Sequence, residues 1–501
     1  MTAFSSMIHR IASSTRAWPV AVLLLIAAVY VVSLPGYPGP SGDNAEFQSL
    51  ARTLGTSHPT GYPLYLLASH AFQTILPAGS LAWRVNLFSG VCGLGALALF
   101  WRIGLRMGLA PWSVAIAMGW LATTSTWWRL STVAEVYALH ALLTLGGLLC
   151  ILIWRDLRDD RFLRAAILLH ALSYANHLTT LLVLPALLYL VAATDRRVFT
   201  SPAVWRWCGV SILAGLAFYG HVLIQARTAP PELVYSPINS VRSFLEYITG
   251  AAFHDSFSVQ SDANAFTAHV RYIPHLLWQE WGLMIPLMAA GLLVAVRRNA
   301  PGWRMLGLLF VIQTAMVFLY RIPDIQDYLL VPAAVGALGI AGCADRVGRW
   351  ARGARSRTAL AALAALVVLG QSARTAYGVA IHIRYRGGQE DAEILARQTS
   401  RTDGKTLLLL PHAKQYQIAR YYLLGEGHGA GHVRAELWQA DQIRPATADN
   451  VRTRLADAAR QFDRILAYGR SGDAGYDLPV ILTGKGARVR PVSPFIWEVL
   501  P

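Results

Sequence analysis

The sequence predicts a mainly α-helical, polytopic membrane protein with a small extracytoplasmic C-terminal α/β domain. Of its 501 residues, 54 % are hydrophobic and 14 % are charged, and the mean hydropathy is +0.40. Soluble domains carry about 25 % charged residues, so composition favours a membrane protein. Apolar runs of spanning length recur along residues 17–380, whereas residues 382–501 are more polar and contain all three lysines.

Apolar runs predict about eleven transmembrane helices. The first, residues 17–34, follows a short basic leader, and no small-residue cleavage site comes after it, which predicts a retained signal anchor. The others lie near residues 84–103, 110–128, 132–154, 162–177, 179–194, 203–225, 276–297, 303–320, 328–344 and 358–380. The run 62–77 is interpreted as an interfacial or re-entrant helix, because counting it as a span would place later basic helix ends outside.

The distribution of arginine predicts the orientation. Nineteen arginines and no lysine lie in the segments 1–16, 102–109, 155–164, 195–206, 297–304 and 345–357. The intervening loops are longer in total yet hold six arginines. Positive charge stays in the cytoplasm, so the N-terminus is predicted inside and the chain beyond about residue 382 outside, across the cell (inner) membrane. The net charge of +16 follows from this pattern, and no nucleic-acid partner is predicted.

Two domains are predicted. Residues 1–380 form a transmembrane domain with outer loops at 35–83 and 227–275, and residues 382–501 form a soluble, periplasmic or otherwise extracytoplasmic domain. Within the second domain, strands are predicted at KTLLLL (405–410), DRILAY (463–468), PVILTG (479–484) and FIWEVL, which ends at Leu500. The segments HAKQYQIARYYLL and ADNVRTRLADAARQF predict helices between them.

The first outer loop contains the stretch GDNAEFQSLARTLGTSHPTGYPLY, residues 42–65. Asp43 and Glu46 lie one turn apart on a predicted helix, 43–54, whose apolar stripe suits the membrane interface. The pattern also fits a capping box, in which Asp43 caps the helix and Glu46 bonds back to the backbone. The following segment, His58 to Pro63 with Tyr62, is equally consistent with a rigid turn.

Other polar clusters fall on the same predicted outer side. They are Glu135 and Tyr137 at a helix start, Asn176 and His177 at a turn, and YRIPDIQDY (320–328) with Arg321 and Asp324. Each has a structural alternative, respectively a helix start in an aromatic belt, a solvated turn and an interfacial anchor. Ionisable groups this close to hydrocarbon usually face a cavity or a site. We therefore expect one outward-opening cavity lined by Asp43, Glu46, Glu135, His177 and Arg321.

The ordered motifs GDNAEF, SHPTGYPLY, AWRVNLFSG, AEVYAL and NHLT resemble the protein O-mannosyltransferase-like family of GT-C glycosyltransferases. The resemblance covers roughly residues 17–330 and includes INSVRSFLEYITGAAF (238–253), which is similar to the long outer loop of that family. Thr60 stands where the family usually has a second proline. The resemblance implies a polytopic enzyme that uses polyprenyl-phosphate sugars and a catalytic Asp at the start of the first outer helix.

Residue roles follow from this resemblance and from the chemistry. Phosphate is a good leaving group, so an inverting enzyme needs one carboxylate base on the acceptor hydroxyl and no general acid. Asp43 is the expected base, and Glu46 would orient the acceptor or place Asp43. Arg321 is expected to grip the donor phosphate, because a guanidinium can bind phosphate bidentately. The other expected substrate-binding residues are His58 and Tyr62 on the acceptor side, Glu135 and His177 in the sugar pocket, and Tyr137, Asn176 and Asp324.

The predicted function is transfer of a sugar from a polyprenyl-phosphate donor to a protein hydroxyl, glycan or lipid. The lipid-linked sugar is a substrate, and no cofactor and no metal are predicted, since the sequence shows no clustered acidic metal site. One alternative is a transporter or flippase of a lipid-linked saccharide, although transporters usually show repeats and broken helices at the membrane midplane. Another is a structural membrane subunit, in which Asp43, Glu46 and Arg321 would share no cavity.

Overall fold

The computed structural model describes residues 17–38, 42–257, 263–297, 300–350, 363, 366–378, 393, 397, 404–428, 431–469, 477–493 and 495–500. The basic leader 1–16 and the predicted domain boundary near residue 381 lie outside the described residues. The eleventh predicted span is described only at residues 363 and 366–378, which are helical.

Helices dominate the part of the chain before residue 351. The α-helices are Ala17–Ser33 (α1), Gly42–Thr53 (α2), Pro63–Ile75 (α3), Leu81–Arg106 (α4), Pro111–Ala122 (α5), Ser125–Leu130 (α6), Tyr137–Leu157 (α7), Asp160–Tyr174 (α8), Leu184–Thr194 (α9), Pro202–Thr228 (α10), Val241–Ile248 (α11), Ala263–Trp281 (α12), Met284–Arg297 (α13), Pro301–Leu319 (α14) and Leu330–Trp350 (α15). Short 3-10 helices span Leu178–Leu182, Arg196–Thr200, Pro231–Leu233, Ala251–Phe257 and Ile325–Leu329.

The membrane-spanning character is clear, but the count of eleven spans is not confirmed. By length and composition, five helices in the described residues are able to cross a membrane: α4, α7, α10, α14 and the continuous segment Ile325–Trp350. Helices α12 and α13 pass the same test together, but they bend by 92° at their break. Other predicted spans are interrupted, since 110–128 divides into α5 and α6, and 179–194 begins with a 3-10 turn. The chain is a multi-pass membrane protein with a mostly helical fold.

The predicted helix after the first span is confirmed as α2, yet its apolar stripe has a different environment from the one expected. Phe47, Leu50 and Ala51 are buried against other parts of the protein instead of facing lipid. Their partners come from α4 and from residues 418–423, far along the chain. An interfacial stripe and a buried stripe share one hydrophobic period, so the sequence alone does not distinguish them.

A five-stranded sheet follows in residues 404–500, which we call the C-terminal unit. Its strands are Thr406–Leu410 (β1), Val433–Leu437 (β2), Arg464–Tyr468 (β3), Arg488–Ser493 (β4) and Ile496–Leu500 (β5). Their order is β2-β1-β3-β5-β4; β1 pairs in parallel with β2 and β3, whereas β5 is antiparallel to β3 and β4. The helices are Ala413–Arg420 (α16), a π-helical turn Tyr421–Gly425, Ala440–Ile443 (α17), Ala448–Ala459 (α18) and Leu478–Gly484 (α19).

The predicted strand at 479–484 is wrong, because that segment is α19. The Asp477 side chain accepts a hydrogen bond from the Val480 N–H, and Pro479 lies in the first turn, where its missing N–H costs nothing. Two strands, β2 and β4, were not predicted. Both carry largely exposed or half-buried residues, so neither shows a strong apolar signal.

The C-terminal unit packs directly on α2. The Tyr421 hydroxyl accepts a hydrogen bond from the Ala82 N–H at 3.1 Å and donates one to Glu426 at 2.5 Å. Gly425 approaches so closely that an added Cβ would lie 3.4 Å from the Ser49 Cα atom. Helix α2 is therefore held between α4 on one side and the C-terminal unit on the other.

Candidate active site

A cavity of about 880 Å³ lies beside α2, a volume typical of small-molecule sites. Its walls come from α2, the segment 58–62, the start of α7, the turn 177–182 and the segment 320–328. The C-terminal unit adds α16 and the end of β2. Eight of the ten predicted site residues line this cavity: Asp43, Glu46, His58, Tyr62, Glu135, Tyr137, His177 and Asp324.

Glu46 and His58 form an ion pair inside the cavity. One Glu46 carboxylate oxygen accepts the His58 backbone N–H at 2.9 Å, and the other lies 2.8 Å from the His58 Nδ1. Glu46 is 2 % exposed. Both carboxylate oxygens of Glu46 contact His58, twelve positions away. In the predicted capping box, Glu46 would instead bond to the backbone at the start of its own helix. Helix α2 also begins at Gly42, so Asp43 lies in the first turn and not at the cap.

The charges around Asp43 influence one another. Burial raises the pKa of Asp43, the positive charge of His58 counteracts this, and Glu46 and Asp324 raise it further. Burial alone would lower the pKa of His58, but the charge and hydrogen bond of Glu46 outweigh it and raise that pKa to about 9. The imidazole is therefore protonated at neutral pH. Asp43 is a more basic carboxylate than one in water.

Glu135 is held against α2 by Asn44, a residue that was not predicted. The Asn44 amide donates to Glu135 Oε1 at 2.7 Å and to the Ala134 carbonyl at 3.1 Å. Because Asn44 follows Asp43 directly, this bond connects the first outer loop to the start of α7. The position of Asn44 in the GDNAEF motif was the only sequence signal for it.

Aromatic rings form one side of the cavity. Tyr62 and His177 stack with centroids 5.9 Å apart and planes 21° from parallel, and Tyr137 lies 5.0 Å from His177. Tyr328 contacts both Tyr137 and His177 edge-on at 5.6 Å. Tyr62 has φ 42°, a left-handed conformation that costs a non-glycine residue about 1 kcal/mol. Tyr320 and Tyr328 were missed, although both belong to the quoted motif YRIPDIQDY.

Two predicted residues, Asn176 and Arg321, do not line the cavity. Asn176 is fully buried, and its amide donates to the Val136 carbonyl at 3.1 Å, a structural contact between two helix ends. The backbone N–H of Arg321 donates to the Ser256 carbonyl, and the Arg321 guanidinium donates to the Asp255 carbonyl at 3.3 Å. These bonds turn Arg321 toward the 251–257 segment. Several residues of that segment, including Phe253 and His254, line the cavity, so the expected role of Arg321 in binding the donor phosphate stays a prediction.

An ion pair between a half-buried guanidinium, Arg129, and a buried carboxylate, Asp327, lies at the cavity wall. Arg129, in α6, donates to Asp327, which is itself a lining residue. Neither residue was predicted to belong to the site. Arg129 lies just before α7 in the chain. The ion pair therefore connects the start of α7 to the segment 320–328, which carries the lining residue Tyr328.

The ligand atoms of Asp43, Glu46 and His58 all lie within 4.8 Å of one another. The sequence had shown no such cluster, because His58 is brought to the carboxylates only by the fold. These three residues would have to hold a divalent cation if one bound here. The Glu46–His58 pair already uses both Glu46 oxygens, so a cation would have to displace that pair.

Comparison with known proteins agrees with the predicted resemblance. Residues 43–200 match the model of the protein O-mannosyl-transferase TMEM260 N-terminal domain. The protein O-mannosyl-transferase TMEM260 of Mus musculus is 37 % identical over 123 residues, which are 25 % of this chain and 17 % of that protein. The Dictyostelium discoideum protein of the same name is 23 % identical over 217 residues, 40 % of this chain and 25 % of that protein. The matches thus span a quarter or less of these relatives.

Solved structures resemble the chain over most of its length. ArnT from Cupriavidus metallidurans, in the apo state and bound to undecaprenyl phosphate, has a TM-score of 0.58 at 11 and 12 % identity, covering 97 % of this chain and 98 % of that one. An Archaeoglobus fulgidus oligosaccharyltransferase has a TM-score of 0.52 at 13 % identity, covering 89 % and 68 %. These proteins share the GT-C fold. Residues 43–200 of this chain are therefore similar to the protein O-mannosyl-transferase TMEM260 N-terminal domain, and the chain as a whole has the fold of these solved structures.

Proposed function

We propose that the protein is an integral-membrane glycosyltransferase that moves a sugar from a polyprenyl phosphate to an extracytoplasmic hydroxyl with inversion. The observation that carries this proposal is Asp43, a carboxylate of raised pKa in the cavity, beside the Glu46–His58 ion pair. The structural neighbour bound to undecaprenyl phosphate supports the donor class. The names of the relatives make mannosyl transfer to protein the first reaction to test.

In the proposed step, the acceptor hydroxyl gives its proton to Asp43 while its oxygen bonds to the anomeric carbon of the sugar. The bond between that carbon and the donor phosphate oxygen breaks, and the phosphate leaves with the electron pair. Asp43 then passes the proton to water. The products are the glycosylated acceptor and polyprenyl phosphate. One base is sufficient because the phosphate needs no protonation to leave.

The neighbouring residues receive supporting roles. Protonated His58, held by Glu46, stabilises the ionised form of Asp43 between turnovers. The rings of Tyr62 and His177 offer a stacked surface for a sugar face, a geometry suited to apolar C–H groups. Glu135 accepts hydrogen bonds from sugar hydroxyls, with Asn44 fixing its orientation. No step of the proposed reaction passes through a metal.

The reaction is tested by incubating the purified full chain with a panel of polyprenyl-phosphate sugars and acceptor peptides. We expect release of polyprenyl phosphate with one sugar, dependent on an acceptor, together with a glycosylated product. Movement of the lipid-linked saccharide across proteoliposomes without release would support a flippase instead, and would contradict the proposed transfer.

The proposed orientation places the N-terminus in the cytoplasm and the C-terminal unit outside. Alkaline phosphatase is active only after export, so a fusion after Leu500 should be active and a fusion at Arg158 inactive. A fusion at Ser236, in the second outer loop, is the matched control and should resemble the Leu500 fusion. The reverse pattern would place the cavity on the cytoplasmic side and contradict the proposed acceptor class.

A further inference from the structure

Arg420, the last residue of α16, is a cavity-wall residue that the proposed reaction has not yet used. It is 4 % exposed. Among the described residues that line the cavity, it is the one lysine or arginine. The same cavity is lined by five carboxylates: Asp43, Glu46, Glu135, Asp324 and Asp327. The cationic groups of the described lining are thus this guanidinium and His58, which is ion-paired with Glu46.

The contacts of Arg420 orient its guanidinium without neutralising it. One terminal nitrogen donates to Gln417 Oε1 at 3.0 Å, and the other donates to the Glu232 backbone carbonyl at 2.6 Å. The Tyr416 ring lies 5.4 Å from the guanidinium carbon. In the described part of the chain, the buried Nε has no hydrogen-bond partner, and no carboxylate pairs with Arg420. Buried charges are normally paired, yet among the described residues this guanidinium has no counter-ion.

We propose that Arg420 binds the phosphate of the polyprenyl-phosphate donor, so that the C-terminal unit forms part of the donor site. This inference rests on the proposed function, which requires a phosphate anion in this cavity. Carboxylates of this wall that have no ion-pair partner among the described residues, such as Asp43 and Asp324, repel such an anion, whereas a guanidinium with neutral hydrogen-bond partners attracts it. A guanidinium also binds phosphate oxygens with directed N–H groups, which an ammonium does not match.

The packing of the C-terminal unit explains how a residue so far along the chain is positioned. Ile418 is fully buried in the cluster that contains Phe47 and Leu50 of α2. The Arg420 guanidinium donates a hydrogen bond to the Glu232 carbonyl. Val234 and Tyr235, in the same segment as Glu232, also line the cavity. The phosphate ligand and the helix that carries Asp43 are thereby held in one packed assembly. We infer that docking of the C-terminal unit is required for donor binding.

The test measures binding of undecaprenyl phosphate and of neutral undecaprenol to the purified full chain in nanodiscs. The variants are Arg420→Gln, Arg420→Lys and Arg434→Gln, an exposed arginine of β2 that serves as the matched charge control. We expect the wild type and Arg434→Gln to prefer the phosphate. Arg420→Gln should lose about tenfold or more of that preference. Arg420→Lys should keep part of it, because charge remains while the planar geometry is lost.

The outcomes separate this inference from the proposed function. A wild type that does not prefer the phosphate contradicts both. A wild-type preference that persists in folded Arg420→Gln contradicts only the role of Arg420. If Arg420→Gln fails to fold, the test uses Arg420→Lys instead. A phosphate preference of Arg420→Lys equal to that of the wild type would overturn the inference. Loss of acceptor affinity with unchanged phosphate preference would assign Arg420 to the acceptor and also overturn it.

Discussion

Replacing Asp43 with Asn should lower the turnover number about 100-fold or more while the protein remains folded. Asn keeps the size and hydrogen-bonding capacity of the side chain but cannot accept the proton of the acceptor hydroxyl. Its structural cost is small: Asp43 lies in the first turn of α2, where loss of a negative charge costs about 0.3–1 kcal/mol. The turnover number is measured as release of polyprenyl phosphate from the purified full chain.

The control for this prediction is Asp160→Asn. Asp160 also lies in the first turn of a helix, α8, but it is exposed and does not line the cavity. The same chemical change there should leave turnover close to that of the wild type. Asp43→Asn with normal melting behaviour and near-normal turnover would refute the base assignment and restore a purely structural role for the first turn of α2.

Stability should fall as the pH rises from about 6.5 to about 9, and Glu46→Gln should remove most of this dependence. His58 has an ordinary pKa of 6.5 and a folded-state pKa of about 9, so the folded protein binds one more proton within this window. The difference contributes about 3 kcal/mol of stability, fully present below pH 6.5 and lost as the pH passes through 9. Without the Glu46 carboxylate, only the weaker influence of Asp43 opposes burial, so most of the rise in the pKa of His58 and most of this contribution are lost.

This second prediction is measured as the difference in unfolding free energy between wild type and Glu46→Gln across pH 6 to 10, in one detergent. Titrating groups remote from the pair affect both proteins equally, so the difference reports the Glu46–His58 pair together with its neighbour Asp43. We expect Glu46→Gln to be less stable at pH 6 and the two proteins to converge near pH 10. Parallel curves across the whole range would show that the Glu46–His58 pair contributes no linked stability.

Local pattern accounts for what the sequence predicted well. Apolar runs predicted the membrane helices because a helix must bury its backbone polar groups wherever it meets lipid. The period of Phe47, Leu50 and Ala51 predicted α2, and the motif residues Asp43, His58, Tyr62 and Glu135 all reach the cavity. Such residues were recognisable because charged or aromatic groups stand out beside apolar spans.

Long-range contacts account for what the sequence did not predict. Asn44 meets Glu135 across 91 positions, and Arg420 meets Glu232 across 188. No periodicity links such pairs, because only packing of separate elements brings them together. Arg321 also depends on a distant segment, since the Ser256 and Asp255 carbonyls accept hydrogen bonds from it.

The amino-acid sequence by itself determined the class of this protein: a polytopic membrane chain that carries Asp43 and Glu46 on one helix after its first apolar run. It did so because hydrophobicity and helical spacing act over a few residues. Only the tertiary structure decided which charges share the cavity. It paired Glu46 with His58 and placed Arg420 in the wall. The physical reason is that the electrostatic environment of a buried group depends on every element packed against it, however distant in sequence.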